Sequence, residues 1–240
     1  MSIDIVDLLE DFAGLAATAV ALLAAYRSLT IGKSLVTRVY RTRAYWLAAL
    51  MIIFVAFALA GESSSAVATD ISNNLFYVFL IALLVFIDSN VAAAKEIDFF
   101  HKDILHWHIL RIPLLAIVVA SSVIVAVVSA AFPAFTNSLV YDIVVIAYFT
   151  LLGVVFSYSG AAMIVIARRT YDRTMKKFIK MLGFAILCYV LFLTLFIPLD
   201  FIYPRLGDVV TTFIAIAAAY FFYRAAMSLS PIGRVLEEVV

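Results

Sequence analysis

Long apolar runs separated by short polar stretches recur along the chain. Seven of them read as membrane-crossing helices, over residues 12–26, 45–60, 75–94, 112–132, 139–167, 181–197 and 209–227. A crossing helix needs about 20 mostly apolar residues at 1.5 Å each. The first, second and sixth runs reach that length through Leu8, Tyr40 and Tyr203, with flanking polar groups snorkelling to the interface. The fifth is longer than needed and has room to tilt. The expected fold class is an all-α integral membrane protein, a single seven-transmembrane-helix bundle over residues 1–240.

Charge gives this pattern a direction. Arg27, Lys33, Arg38, Arg41 and Arg43 fall between runs one and two, and Lys95, Lys102 and Arg111 between three and four. Arg168, Arg169, Arg173, Lys176, Lys177 and Lys180 fall between five and six, while Arg224 and Arg234 close or follow the seventh. Of the basic residues only Arg205 lies on the other side. The positive-inside rule then expects the amino terminus outside and the carboxyl terminus in the cytoplasm, as an odd number of crossings requires. The expected location is the cell membrane, multi-pass. The acidic start, MSIDIVDLLED, differs from a secretory signal, which begins with positive charge.

Composition agrees. Hydrophobic residues make up 66% of the chain and charged residues 14%, against roughly half and a quarter in a soluble domain. The lipid bilayer is the first expected partner. A formal net charge of +1 lacks the strongly basic face of a nucleic-acid binder, so none is expected. Cys188 stands alone in an apolar run, as a small buried hydrophobe would.

The five prolines lie at run ends or outside them, with Pro113 suited to the first turn of the fourth. Broken helices of the kind that line many transporter sites are not expected. Ala13, Ala17, Ala21 and Ala25 form one stripe of the first run. Such stripes allow close helix approach, either inside the bundle or as a homo-oligomer seam. The first basic connection, GKSLVTRVYRTRAYW, sets Leu35, Val36 and Val39 among cations. It reads as a short surface helix drawn to anionic lipid, or as a docking site for a cytoplasmic protein partner.

Three groups carry candidate chemistry. Asp88, Ser89 and Asn90 sit within an apolar run, about 8–10 Å before Lys95 along a helix. A carboxylate there must find a partner, a proton or water. The cations at inner run ends, Arg111, Arg168, Lys180 and Arg224, are the expected partners. Asp142, Asp200 and Asp208 form a candidate acidic mouth on the outer side. The third group lies in EIDFFHKDILHWHILR, residues 96–111, which holds every histidine of the chain. On a helix Asp98, His101 and His108 would share one face and make a pH-sensitive contact. Asp103 and His106 fall on another face, so a metal site is not expected, and Phe99, Phe100 and Trp107 suit the headgroup level.

Ser121, Ser122, Thr150, Ser157 and Ser159 can bond their own helix carbonyls or bridge helices. The string SYSG at 157–160 has no histidine in a later run to act as base. Retinal attachment needs a lysine in the last run, and the seventh has none. No catalytic residue and no cofactor is expected. The reading favoured is a seven-helix sensor or signalling-type bundle. The alternatives are a small ion, proton or solute transporter or channel, and a structural subunit of a membrane complex.

Overall fold

Among the described residues the seven apolar runs become seven helices. The computed structural model describes residues 5–61, 66–98, 107–131, 139–202 and 204–230. Within them lie α1 (Ile5–Ser34), α2 (Arg38–Gly61), α3 (Ala66–Asp98), α4 (Trp107–Ala131), α5 (Leu139–Arg169), α6 (Arg173–Ile202) and α7 (Pro204–Ser228). In hydrocarbon a backbone can satisfy its own polar groups only within helices or closed barrels, and no strand occurs among the described residues.

Helices α1, α2, α3, α5 and α6 each hold a stretch long and apolar enough to cross a membrane. The corresponding stretches of α4 and α7 among the described residues are shorter, Ile112–Val128 and Thr212–Ser228. Each lies in a helix of 25 residues, about 37 Å long at 1.5 Å per residue. Large apolar side chains such as Phe12, Ile112 and Val154 are more than 60% exposed on the flanks. An apolar surface of this kind is solvated by lipid and aggregates in water. The chain is an all-α, multi-pass membrane bundle.

The helices overrun the apolar runs because their polar ends stay helical while long cationic side chains reach for water. The segment 32–46 is therefore not a separate surface helix, which corrects the sequence expectation. It divides into the end of α1, a three-residue turn and the start of α2. In that turn Leu35 is buried and Val36 exposed, and the Leu35 amide bonds the Ile31 carbonyl at 3.1 Å. Pro113 likewise lies inside α4, not in its first turn. Helix α4 begins at Trp107, six residues earlier.

The elements close into a ring. Helix α1 packs on α2 and α7, α7 on α6, α6 on α5, and α2 on α3. Between α3 and α5 the ring closes by lighter contacts, with α4 set against both at the perimeter. The alanine stripe of α1 is buried, Ala13 and Ala21 fully so, and the helices packed on α1 are α2 and α7. Packing inside the bundle accounts for these alanines.

Helices α5 and α6 cross where Gly160 meets Gly183. A Cβ at Gly183 would lie 3.0 Å from Ile164 Cγ1 and 3.3 Å from the Gly160 carbonyl oxygen. The second of these neighbours is backbone and cannot swing aside. Gly183→Val is therefore expected to destabilise the bundle by about 1–3 kcal/mol through overpacking. Thermal unfolding in detergent would show this, and a melting point equal to the parent's would mean the helices separate freely there.

Candidate functional site

The bundle has an acidic end, where α1 and α7 begin and α2 ends, and an opposite, basic end. A cavity of about 150 Å³ lies in the acidic-end half. Its walls come from α1 (Gly14, Ala17, Thr18), α2 (Met51, Phe54, Phe57, Ala58), α3 (Phe79), α6 (Tyr189, Phe192) and α7. Helix α7 contributes Thr212, Ala215, Ala218, Ala219 and Phe222. Small residues of α1 and α7 make the space, and aromatic residues of α2, α3 and α6 line it.

The aromatic wall is continuous. Phe54 and Phe79 have ring centroids 5.8 Å apart, and Phe79 meets Tyr189 edge-on at 5.5 Å. Tyr189 in turn stacks on Phe192 at 5.9 Å and meets Phe156 edge-on at 6.1 Å. These are the separations at which aromatic pairs attract. Tyr189 is only 5% exposed, and its hydroxyl is buried with no hydrogen-bond partner among the described residues. A buried hydroxyl without a partner costs about 1–3 kcal/mol, so the fold carries an unmet polar group beside an apolar hole. A cavity of this size takes a benzene-sized apolar guest.

No family model, curated protein or solved structure matches the chain.

A second polar locus lies toward the basic end. The Arg43 guanidinium of α2 donates through Nη2 to the Ser89 carbonyl of α3 at 2.7 Å. Arg43 is thus a basic side chain that reaches the Asp88–Ser89–Asn90 group, a cation outside the expected partners Arg111, Arg168, Lys180 and Arg224. Asp88 is half-buried and engaged. Asn90 is fully buried and donates to the Phe86 carbonyl at 2.7 Å. The Asn90 Oδ1 and Ser89 Oγ atoms are buried without partners among the described residues. Between this locus and the cavity, Leu80, Leu83, Leu84, Phe86 and Ile87 of α3 are buried and apolar. Phe79 and Asp88 are nine positions apart, about 14 Å along the helix.

Asp172 was not anticipated. It precedes α6 and accepts from the Met175 amide at 2.6 Å, as an N-capping carboxylate does. Tyr40 of α2 donates its hydroxyl to the same oxygen at 3.4 Å. The sequence signal was present in DRTMK, an acid immediately before a helical run.

The other candidates are placed as follows. The backbone sets Asp142, Asp200 and Asp208 in the end turns of α5, α6 and α7 at the acidic end, but their side chains lie outside the described residues. His101 is outside them altogether, Asp98 closes α3, and His108 falls in the first turn of α4. Among the described residues no group of three His, Cys, Asp or Glu side chains could hold a metal. Ser121, Thr150 and Ser159 bond carbonyls of their own helices at 3.2, 2.8 and 2.8 Å. Ser122 instead bridges α4 to α5, its hydroxyl 3.0 Å from that of Tyr148.

Proposed function

We propose that the protein is a seven-helix membrane sensor whose stimulus is a small apolar molecule carrying one polar group. The observation that carries this reading is the aromatic cavity together with Tyr189, a ring of its wall whose buried hydroxyl has no partner among the described residues. The apolar body of the guest takes the space between α1, α2, α3, α6 and α7, and Tyr189 turns its hydroxyl toward the guest's polar group. Helices α3 and α6 extend from the cavity to the basic end. Phe79 and Tyr189 meet at the cavity, and Phe86 meets Phe178 edge-on at 6.4 Å nearer the basic end. A guest that changes the spacing of α3 and α6 at the cavity biases how they sit at Arg43 and Asp172. Transport is the weaker reading, because buried leucine and isoleucine occupy α3 between the cavity and Asp88.

A direct test uses phenol and benzene on the purified protein in detergent. Saturable stabilisation is expected from both, larger for phenol, reaching about 2.7 kcal/mol at a hundredfold excess over Kd. The Ala58→Phe variant, with the cavity filled, should lose it. Equal, unsaturable shifts in parent and variant would mean simple partitioning and defeat the reading.

Signalling toward the cytoplasm further requires the basic end to face inward, as the charge bias argues. Reporters inserted at Ser64 and fused after Val240 should report outside and inside respectively. Both on one side would break the odd-crossing topology.

A further inference from the structure

At the basic end a groove of about 610 Å³ opens between α6 and α7. Helix α6 lines it with Arg173, Lys177 and Lys180, spaced by four and three and so on one face. Helix α7 adds Arg224, and all four cations are exposed. Among the described residues no carboxylate lines the groove, whereas Met181 and Met227 give it apolar walls.

Depth decides what such a groove is for. Lys180 lies seven residues into α6, about 10 Å from its end, and Arg224 about 6 Å short of the end of α7. Both fall inside the apolar stretches Arg173–Leu195 and Thr212–Ser228. Each cation is held over a ring of its own helix. Lys180 Nζ lies 5.8 Å from the Phe184 ring centroid. The Arg224 guanidinium lies 5.9 Å from that of Tyr220 and donates to its hydroxyl at 3.0 Å. Ring contacts of this kind hold a cation in place without neutralising it. Two cations fixed at headgroup depth, on two helices that pack closely on each other, meet one kind of abundant anion there, a lipid phosphate.

We propose that this groove binds the headgroup of an anionic glycerophospholipid. The phosphodiester lies between Arg224, whose planar fork suits two phosphate oxygens, and Lys180. Lys177 and Arg173 face the polar end of the headgroup, and the methionines face the first carbons of the acyl chains. The site stands independently of the sensing reading, since it shares no residue with the cavity.

The test titrates the purified full-length protein in uncharged detergent with phosphatidylglycerol, reading the melting temperature. A saturable rise is expected, with none from phosphatidylcholine. The double variant Lys180→Gln/Arg224→Gln should bind about 25-fold more weakly, at roughly fivefold per cation. The charge-preserving pair Lys180→Arg/Arg224→Lys should keep most of the binding, giving up only the second oxygen contact of the Arg224 fork, which separates lost recognition from lost folding. Arg168→Gln/Arg169→Gln removes the same charge from the end of α5 and should bind as the parent does. Equal loss in that control would reduce the site to diffuse surface attraction and overturn the proposal. Equal protection by inorganic phosphate would identify a free-anion site, and equal protection by an oligoglutamate peptide an acidic protein partner. Either result would also overturn it.

Discussion

Tyr189→Phe is expected to make the ligand-free protein more stable while impairing what the cavity binds. The substitution keeps the ring, and with it the contacts to Phe79, Phe156 and Phe192. It removes only a hydroxyl that is buried and has no partner among the described residues. Leaving such a group unmade costs about 1–3 kcal/mol, and its deletion should return that amount as stability. The preference for phenol over benzene should fall toward one, because the Tyr189 hydroxyl is the group that tells them apart. Opposite signs for stability and selectivity mark a residue kept for function. A less stable variant with undiminished selectivity would make the hydroxyl structural and remove the support for sensing.

The second large effect is expected at Arg43. A hydrogen bond from a charged donor contributes about 1.5–3 kcal/mol, and Arg43 makes one to the Ser89 carbonyl beside the half-buried Asp88. Arg43→Leu should therefore cost about 2–3 kcal/mol, read from unfolding in detergent. If the cation and the Asp88–Asn90 segment act as one unit, Arg43→Leu and Asp88→Asn together will cost less than the sum of the two. The discrepancy expected for residues in one network is about 0.5–3 kcal/mol. Strict additivity would show two unrelated polar groups that merely lie near each other.

The residues behind these two predictions were unequally legible in the sequence. Asp88 stands out because a carboxylate inside an apolar run is expensive and therefore conspicuous. Its neighbour Arg43 does not, since a cation just before a run reads as part of a connection. Only the extension of α2 back to Arg38 carries it into the bundle. The seven helices were readable because each needs one local property, a long apolar stretch. Their ends were not, because Arg38, Arg41 and Arg43 remain helical beyond the apolar window. Pro113 was misplaced for the same reason, at the start of α4.

The cavity was invisible for a different cause. Tyr189 is one of 12 tyrosines and its neighbours are drawn from 20 phenylalanines. In a chain this apolar, an aromatic residue facing lipid and one facing a hole look alike. What separates them is the convergence of five helices, and no local pattern encodes that. The orphan hydroxyl, too, becomes visible only when all its neighbours are in place.

The position of α7 between α1 and α6 has a consequence for how the protein is made. Neighbours in the ring are mostly neighbours in the chain, so successive helices can pair as they leave the ribosome. The contact between α1 and α7 is different, because it joins the first helix synthesised to the last. Until Pro204 and the residues after it have been inserted, the face of α1 that packs on α7 lacks its partner and stays open to lipid or to an assembly factor. The cavity lacks its fifth wall for the same interval. A nascent chain therefore acquires its binding site in its final step, and a chain cut short before α7 retains most of its membrane helices but has no chamber to fill.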